Sequence, residues 1–318
     1  MEQDGVVSKP VAVIVCIAMA FLYVAILYAP TVLLRLPPPS SLKNFMIRRF
    51  LCAFVSSILS FFLSVLILPV QNKEPRYIFG VYGIRVDHIW QAVVLPLSLT
   101  SLMYAGSLSL KSLLLLDSWR QHTSSGGALS FDSCKYVLRM LLGWLSATSS
   151  NVLAWRNYIV APLTEELVFR ACMIPLLLCG GFKTYSVILL CPIFFSLAHL
   201  NHFMEIYAKQ NYRIKKAVMV IGLQLGYTVI FGSYASFLFI RTGHLIAPLV
   251  AHIYCNFMGL PVLYSSRSGI VSVAVILGFL GFLWLLSPMT GPDLYNDRID
   301  NCSCWQGYCS WRQGIAKS

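Results

Sequence analysis

Charge is what this sequence has least of: 11% of its 318 residues are Asp, Glu, Lys or Arg, and 12 are acidic. Soluble domains carry about a quarter charged residues, so that class is excluded. The ten cysteines are scattered, with no CxxC pair and no Cys/His zinc spacing, which removes dithiol redox modules and zinc fingers. HExxH, a Gly-flanked catalytic Ser and a pair of intramembrane Asp are all missing, and with them the marks of zinc, serine and aspartyl intramembrane proteases. No internal repeat is visible, so symmetry gives an inverted-repeat transporter no support.

What is abundant is apolar length. Mean hydropathy is +0.72 and 58% of the residues are hydrophobic, the composition of a polytopic, all-α membrane protein. About eight spans are expected: 11–28, 51–70, 89–110, 155–178, 185–202, 217–240, 244–264 and 269–286. The first is too long, and lacks the basic start and small-residue cleavage site, for a signal peptide. Residues 111–135 read as the longest polar connection. Residues 136–153, with Arg139 and the polar stretch 146–151, read as an interfacial helix. The organisation expected is a membrane domain over 1–287 and a polar tail over 288–318.

The formal net charge of +12 falls in short loops, not on a basic face, so it marks topology and not a nucleic-acid partner. Alternate loops carry thirteen and nine Lys or Arg. The positive-inside rule then puts both termini in the lumen and the heavier loops in the cytosol. In the tail, Asn301-Cys302-Ser303 is a sequon on the lumenal side of that assignment, beside Cys304 and Cys309.

Against this background a few polar groups stand inside the apolar runs: Glu165, Glu166 and Arg170, then His199, then His252 and Asn256. Ionisable groups at membrane depth are costly, so they face cavities, pair with one another and serve function. Helical spacing lets Glu166 reach Arg170 one turn on, places Phe195 beneath His199 and stacks His252 with Asn256. Glu165, rotated by about 100° from Glu166, points elsewhere. Counting residues along alternating spans brings Glu165, His199, His252 and Asn256 to the cytoplasmic half of the membrane. A helix-packing role accounts well for Asn256 taken alone and for the Glu166–Arg170 pair. It accounts poorly for Glu165 with two histidines at matched depth.

One carboxylate, two imidazoles and a carboxamide in a wet pocket suit hydrolysis by activated water. The carboxylate is the base, an imidazole holds the water, and His with Asn donates to the oxyanion. A zinc ion on Glu165, His199 and His252 is left open by the residues themselves. So are two other classes, a proton- or ion-coupled transporter and a non-catalytic scaffold.

Glu165-Glu166-x-x-x-Arg170, Phe195-x-x-x-His199 and His252-x-x-x-Asn256, in that order on three helices, resemble the type II CAAX prenyl endopeptidase family, the Ras-converting enzymes of the endoplasmic reticulum. The motifs cover 155–264, and every motif position is filled. The resemblance implies a glutamate-dependent intramembrane protease that removes the last three residues of farnesylated or geranylgeranylated CAAX proteins such as Ras- and Rho-like GTPases. By position, Glu165 would activate water with His199, His252 and Asn256 would stabilise the oxyanion, and Glu166, Arg170 and Phe195 would support them. It implies no metal or other cofactor, and a site open to the cytosol and to the bilayer that carries the prenyl group.

Overall fold

The computed structural model describes residues 7–37, 39–68, 75–123, 143, 146–203, 206–207, 213–262 and 269–295. The tail sequon, its three cysteines and residues 136–142, 144 and 145 of the expected interfacial segment lie outside them. Among the described residues the regular structure is helical, with no strand. In chain order the helices are α1 (Lys9–Val32), α2 (Leu42–Ile67), α3 (Pro75–Val81), α4 (Ile89–Met103), α5 (Ala105–Thr123), a rod over 152–179 that we label α6, α7 (Thr184–Ala198), α8 (Ile214–Thr242), α9 (Ile246–Met258) and α10 (Gly269–Leu286).

Each expected span contains helix, but not eight uniform crossings. Among the described residues four helices, α1, α2, α8 and α10, are long and apolar enough to cross a membrane, and five if the bent pair α4–α5 is one span. The expected span 89–110 bends by 78° between α4 and α5, at Tyr104. Lys111, read as the start of a loop, lies inside α5, because the Leu-rich run 113–116 is a strong helix former whatever the flanking charge.

The four long helices bury a third or less of their apolar windows and turn the rest outward. α6 differs: Val168, Phe169, Arg170, Ala171, Cys172, Met173 and Ile174 have zero exposure. A helix buried on every side is the centre of a bundle.

The rod is also not a plain α-helix. Two π turns, Arg156–Val160 and Leu167–Cys172, interrupt it. Each comes just before a proline, Pro162 or Pro175. A proline lacks the N–H for the i−4 bond and its ring crowds that carbonyl; a wider turn relieves the clash without breaking the rod. Neighbours then cover carbonyls along it. Cys191 Sγ of α7 donates to Phe169 O, and Ser64 Oγ of α2 donates to Cys172 O at 3.3 Å.

Because lipid offers no hydrophobic gain for helix association, close approach of small residues has to supply it. α2 turns Ser56, Ser57, Ser60 and Ser64 inward. α10 meets α4 at Gly278, where an added Cβ would lie 2.4 Å from Leu102 O.

Candidate active site

The sequence-picked residues come from three helices onto one cavity of about 410 Å³. Glu165 of α6, His199 after α7, and His252 and Asn256 of α9 all line it. Glu166 and Arg170 stand behind the wall, with fully buried side chains, joined by a 3.0 Å ion pair from Arg170 Nη1 to Glu166 Oε1.

Glu166 has a second partner that helical spacing did not show. His252 Nδ1 lies 2.7 Å from the same Oε1. A carboxylate paired with Arg is acceptor-only, so the bonding pattern assigns the proton to Nδ1. The opposite ring nitrogen, Nε2, stands 3.8 Å from Glu165 Oε2. His252 therefore bridges the two adjacent glutamates. Phe231 packs on its ring, with centroids 5.0 Å apart.

His199 ends α7. Its Nδ1 is 2.9 Å from the Phe195 carbonyl, which accepts a hydrogen bond from Nδ1–H and leaves Nε2 as the basic nitrogen. Phe195 is the common support: its ring meets Phe169 at 5.1 Å and His199 at 4.7 Å, and the Arg170 guanidinium lies 4.5 Å from its centroid. Asn256, expected to serve an oxyanion, already gives one amide hydrogen to Asn157 O at 2.8 Å. That carbonyl belongs to the first π turn. A carboxamide has two donor hydrogens, so one is still available to a ligand.

Several lining groups were not picked out in the sequence: Arg49, Arg156, Asn157, Thr164, Gln224 and Tyr227. Thr164 is fixed by Tyr23 OH, 3.0 Å from its Oγ1, and by its own bond to Val160 O. The one available cue was a polar side chain within an apolar run: Arg49, Arg156 and Asn157 lie at span ends where such residues are ordinary, and Thr164, Gln224 and Tyr227 are uncharged residues that helix packing alone can account for. Among the described residues no group of three or more His, Cys, Asp or Glu forms a metal-ligand set.

A cavity of mixed polar and apolar lining inside a helical membrane bundle, holding a carboxylate, two imidazoles and a carboxamide, has the equipment of a membrane-embedded hydrolase. Comparison with known proteins narrows this. The family model for type II CAAX prenyl endopeptidase Rce1-like proteins matches residues 137–258. CAAX prenyl protease 2 of Arabidopsis thaliana is 56% identical over 312 residues, 98% of this chain and 100% of the relative. The Homo sapiens protein of that name is 34% identical over 90% of this chain and 83% of its own length, and the Caenorhabditis elegans one 30% over 80% and 87%. No solved structure matches. The chain belongs to the type II CAAX prenyl endopeptidase family, and it is a multi-pass membrane protease. The transporter and scaffold readings are not favoured.

Proposed function

We propose that this protein removes the C-terminal three residues from prenylated CAAX proteins, with water activated by Glu165. The observation that carries the assignment is the convergence of Glu165, His199, His252 and Asn256 on one cavity. Ras- and Rho-like GTPases bearing farnesyl or geranylgeranyl groups are the substrates proposed. The location proposed is the endoplasmic reticulum membrane, with the cavity open to the cytosol; the loop charges support that orientation. Residues 1–287 form the membrane protease domain and 288–318 a polar tail.

Glu165 takes a proton from a water held with His199 Nε2, and the hydroxide attacks the carbonyl of the prenylated cysteine. The proton passes from Glu165 to His252 Nε2, which then donates to the tetrahedral oxyanion together with the second amide hydrogen of Asn256. Collapse breaks the C–N bond, and the nitrogen of the departing tripeptide takes the proton back. The prenylated chain keeps the new carboxyl group, whose remaining proton passes to the released amine, leaving a carboxylate and an ammonium. Glu166, fixed by Arg170, holds the His252 ring in the tautomer this transfer needs.

The test is cleavage of a farnesylated CAAX peptide by purified protein in nanodiscs. Wild type releases the tripeptide, and Glu165→Gln, His199→Ala and His252→Ala lose that release while retaining a native melting transition. Full cleavage by folded Glu165→Gln would overturn the mechanism.

A further inference from the structure

Two cations in the cavity wall have no part in the chemistry above. Arg49 of α2 and Arg156 of α6 both line the cavity. Ion pairs among the described residues join Arg85 to Asp87, Arg170 to Glu166, and His252 to both glutamates, and include neither of these arginines. Arg49 is half-buried, with its guanidinium 5.5 Å from the Phe45 ring centroid. Arg156 Nε donates to Asn157 Oδ1 at 3.0 Å, which uses one of its five donor hydrogens. Among the described lining residues Glu165 is the one carboxylate, so both cations face a space with room for an anion.

Their level is informative. Arg156 precedes Glu165 by nine residues on one continuous rod, which puts its Cα roughly 13 Å along the axis at about 1.5 Å per residue. α2 runs alongside: Ser64 bonds Cys172 O. Fifteen residues back along each helix, Arg49 comes level with Asn157. The two arginines therefore belong to one end of the cavity. From the scissile carbonyl to the terminal carboxylate, a three-residue extended segment spans about 10 Å. Side-chain reach covers the difference.

Resting on the proposed reaction, we infer that Arg49 and Arg156 form the subsite for the substrate's terminal α-carboxylate, and that their distance from Glu165 makes the enzyme count three residues from the chain end. Arginine is suited to this, since its planar fork pairs with both oxygens of a carboxylate. An anionic lipid headgroup offers similar chemistry to cations near a membrane face, so the test has to separate the two.

The assay uses the full chain in nanodiscs and four prenylated peptides: the free acid, its C-terminal amide, and free acids lengthened or shortened by one residue past the prenylated cysteine. For wild type, kcat/KM for the free acid should exceed that for the amide by about 10- to 100-fold, the range of a charge-assisted contact. The lengthened and shortened acids should both be cut more slowly than the three-residue one. Arg49→Gln and Arg156→Gln should each raise KM for the acid and shrink the acid-to-amide ratio, and Arg→Lys should restore part of it. Equal losses on acid and amide would overturn the inference. So would wild type indifferent to the amide, or a defect seen only in nanodiscs containing phosphatidylserine. A misfolded variant is recognised by its melting curve; the substrate comparison in wild type then decides alone. If wild type cuts none of the peptides, the proposed reaction has failed, a result distinct from cleavage without carboxylate preference.

Discussion

Nδ1 of His252 lies 2.7 Å from Oε1 of Glu166, the same oxygen that accepts from Arg170 Nη1 at 3.0 Å. One buried oxygen therefore orients the imidazole of α9 and neutralises the guanidinium of α6. Glu166 is more than a brace for its own helix. Glu166→Gln keeps an oxygen but loses the charge, and it should lower kcat about 10- to 100-fold, the usual cost of removing a supporting partner. KM should change little, because Glu166 is walled off from the cavity. Steady-state kinetics on a farnesylated peptide check this.

The pair could not have been read from the chain alone. Glu166 and Arg170 are one turn apart on one helix, and spacing reveals them. His252 is 86 residues from Glu166, and no periodicity links two helices. Fold class was legible, and so were the six polar residues that the structure gathers at the cavity and behind its wall, because polar residues contrast with an apolar run; Phe195 was legible only by its spacing from His199. The bend at Tyr104 was not, since a uniformly apolar stretch carries no phase from which a change of pitch can be read; nor were the π turns of α6, since Pro162 and Pro175 mark a disturbance but a proline inside a helix is met by a kink as readily as by a wider turn. Lys111 misled for the opposite reason: a single charge was given more weight than the leucines that follow it.

Gly232 is where α8 touches the support of the site. A Cβ there would lie 2.9 Å from Pro192 Cβ and 3.2 Å from Arg170 Nη2. Gly232→Ala should destabilise the protein by about 1–3 kcal/mol, the cost of overpacking. Activity should fall with it, as Arg170 shifts and Glu166 follows. Gly226→Ala, on the same helix with nothing among the described residues within 4 Å of the added carbon, is the control and should melt at or above wild type. Thermal unfolding in detergent measures both.

Stability should fall on mild acidification, through His244. This residue lies between α8 and α9, and its Nε2 donates to Asp87 O at 2.7 Å. Burial pushes its imidazole below the ordinary 6.5, the nearby Arg85 charge and His88 add to this, and Asp87 opposes it. Nδ1 is buried with no partner among the described residues, so a proton there is not accommodated. Below pH 6.5 the unfolded chain takes up that proton more readily than the folded one. The contribution is complete above pH 6.5 and declines as pH falls from there through the depressed folded value. Asp87 acts lower down. Burial raises its carboxyl, but bonding and charge from Arg85 outweigh this and hold it below 3.8, so its share is lost only as pH falls further. Melting temperatures at pH 7.5 and 5.5 should differ for wild type and differ less for His244→Gln, whose amide can still donate to Asp87 O.

Chelation offers a separate check on the water-activating role of Glu165. Protein treated with a strong chelator and then dialysed should cleave the farnesylated peptide at an unchanged rate. Loss of activity restored by zinc, and not by magnesium, would replace the glutamate mechanism with a metal one.

Arg170 allows stability and activity to be separated. Both it and Glu166 have fully buried side chains, and removing one member of a buried ion pair costs about 3–5 kcal/mol, because the remaining charge is stranded. Arg170→Met should therefore lower the melting temperature sharply. Adding Glu166→Gln removes the stranded charge and should recover much of the loss, since buried pairs replaced together are often close to neutral. Activity should not recover with it. The double variant no longer has the carboxylate that orients His252, so a protein of near-native stability should cleave as slowly as Glu166→Gln alone. Recovery of both together would mean that the pair serves the fold only, and that the 2.7 Å contact to His252 does not position the ring for proton transfer.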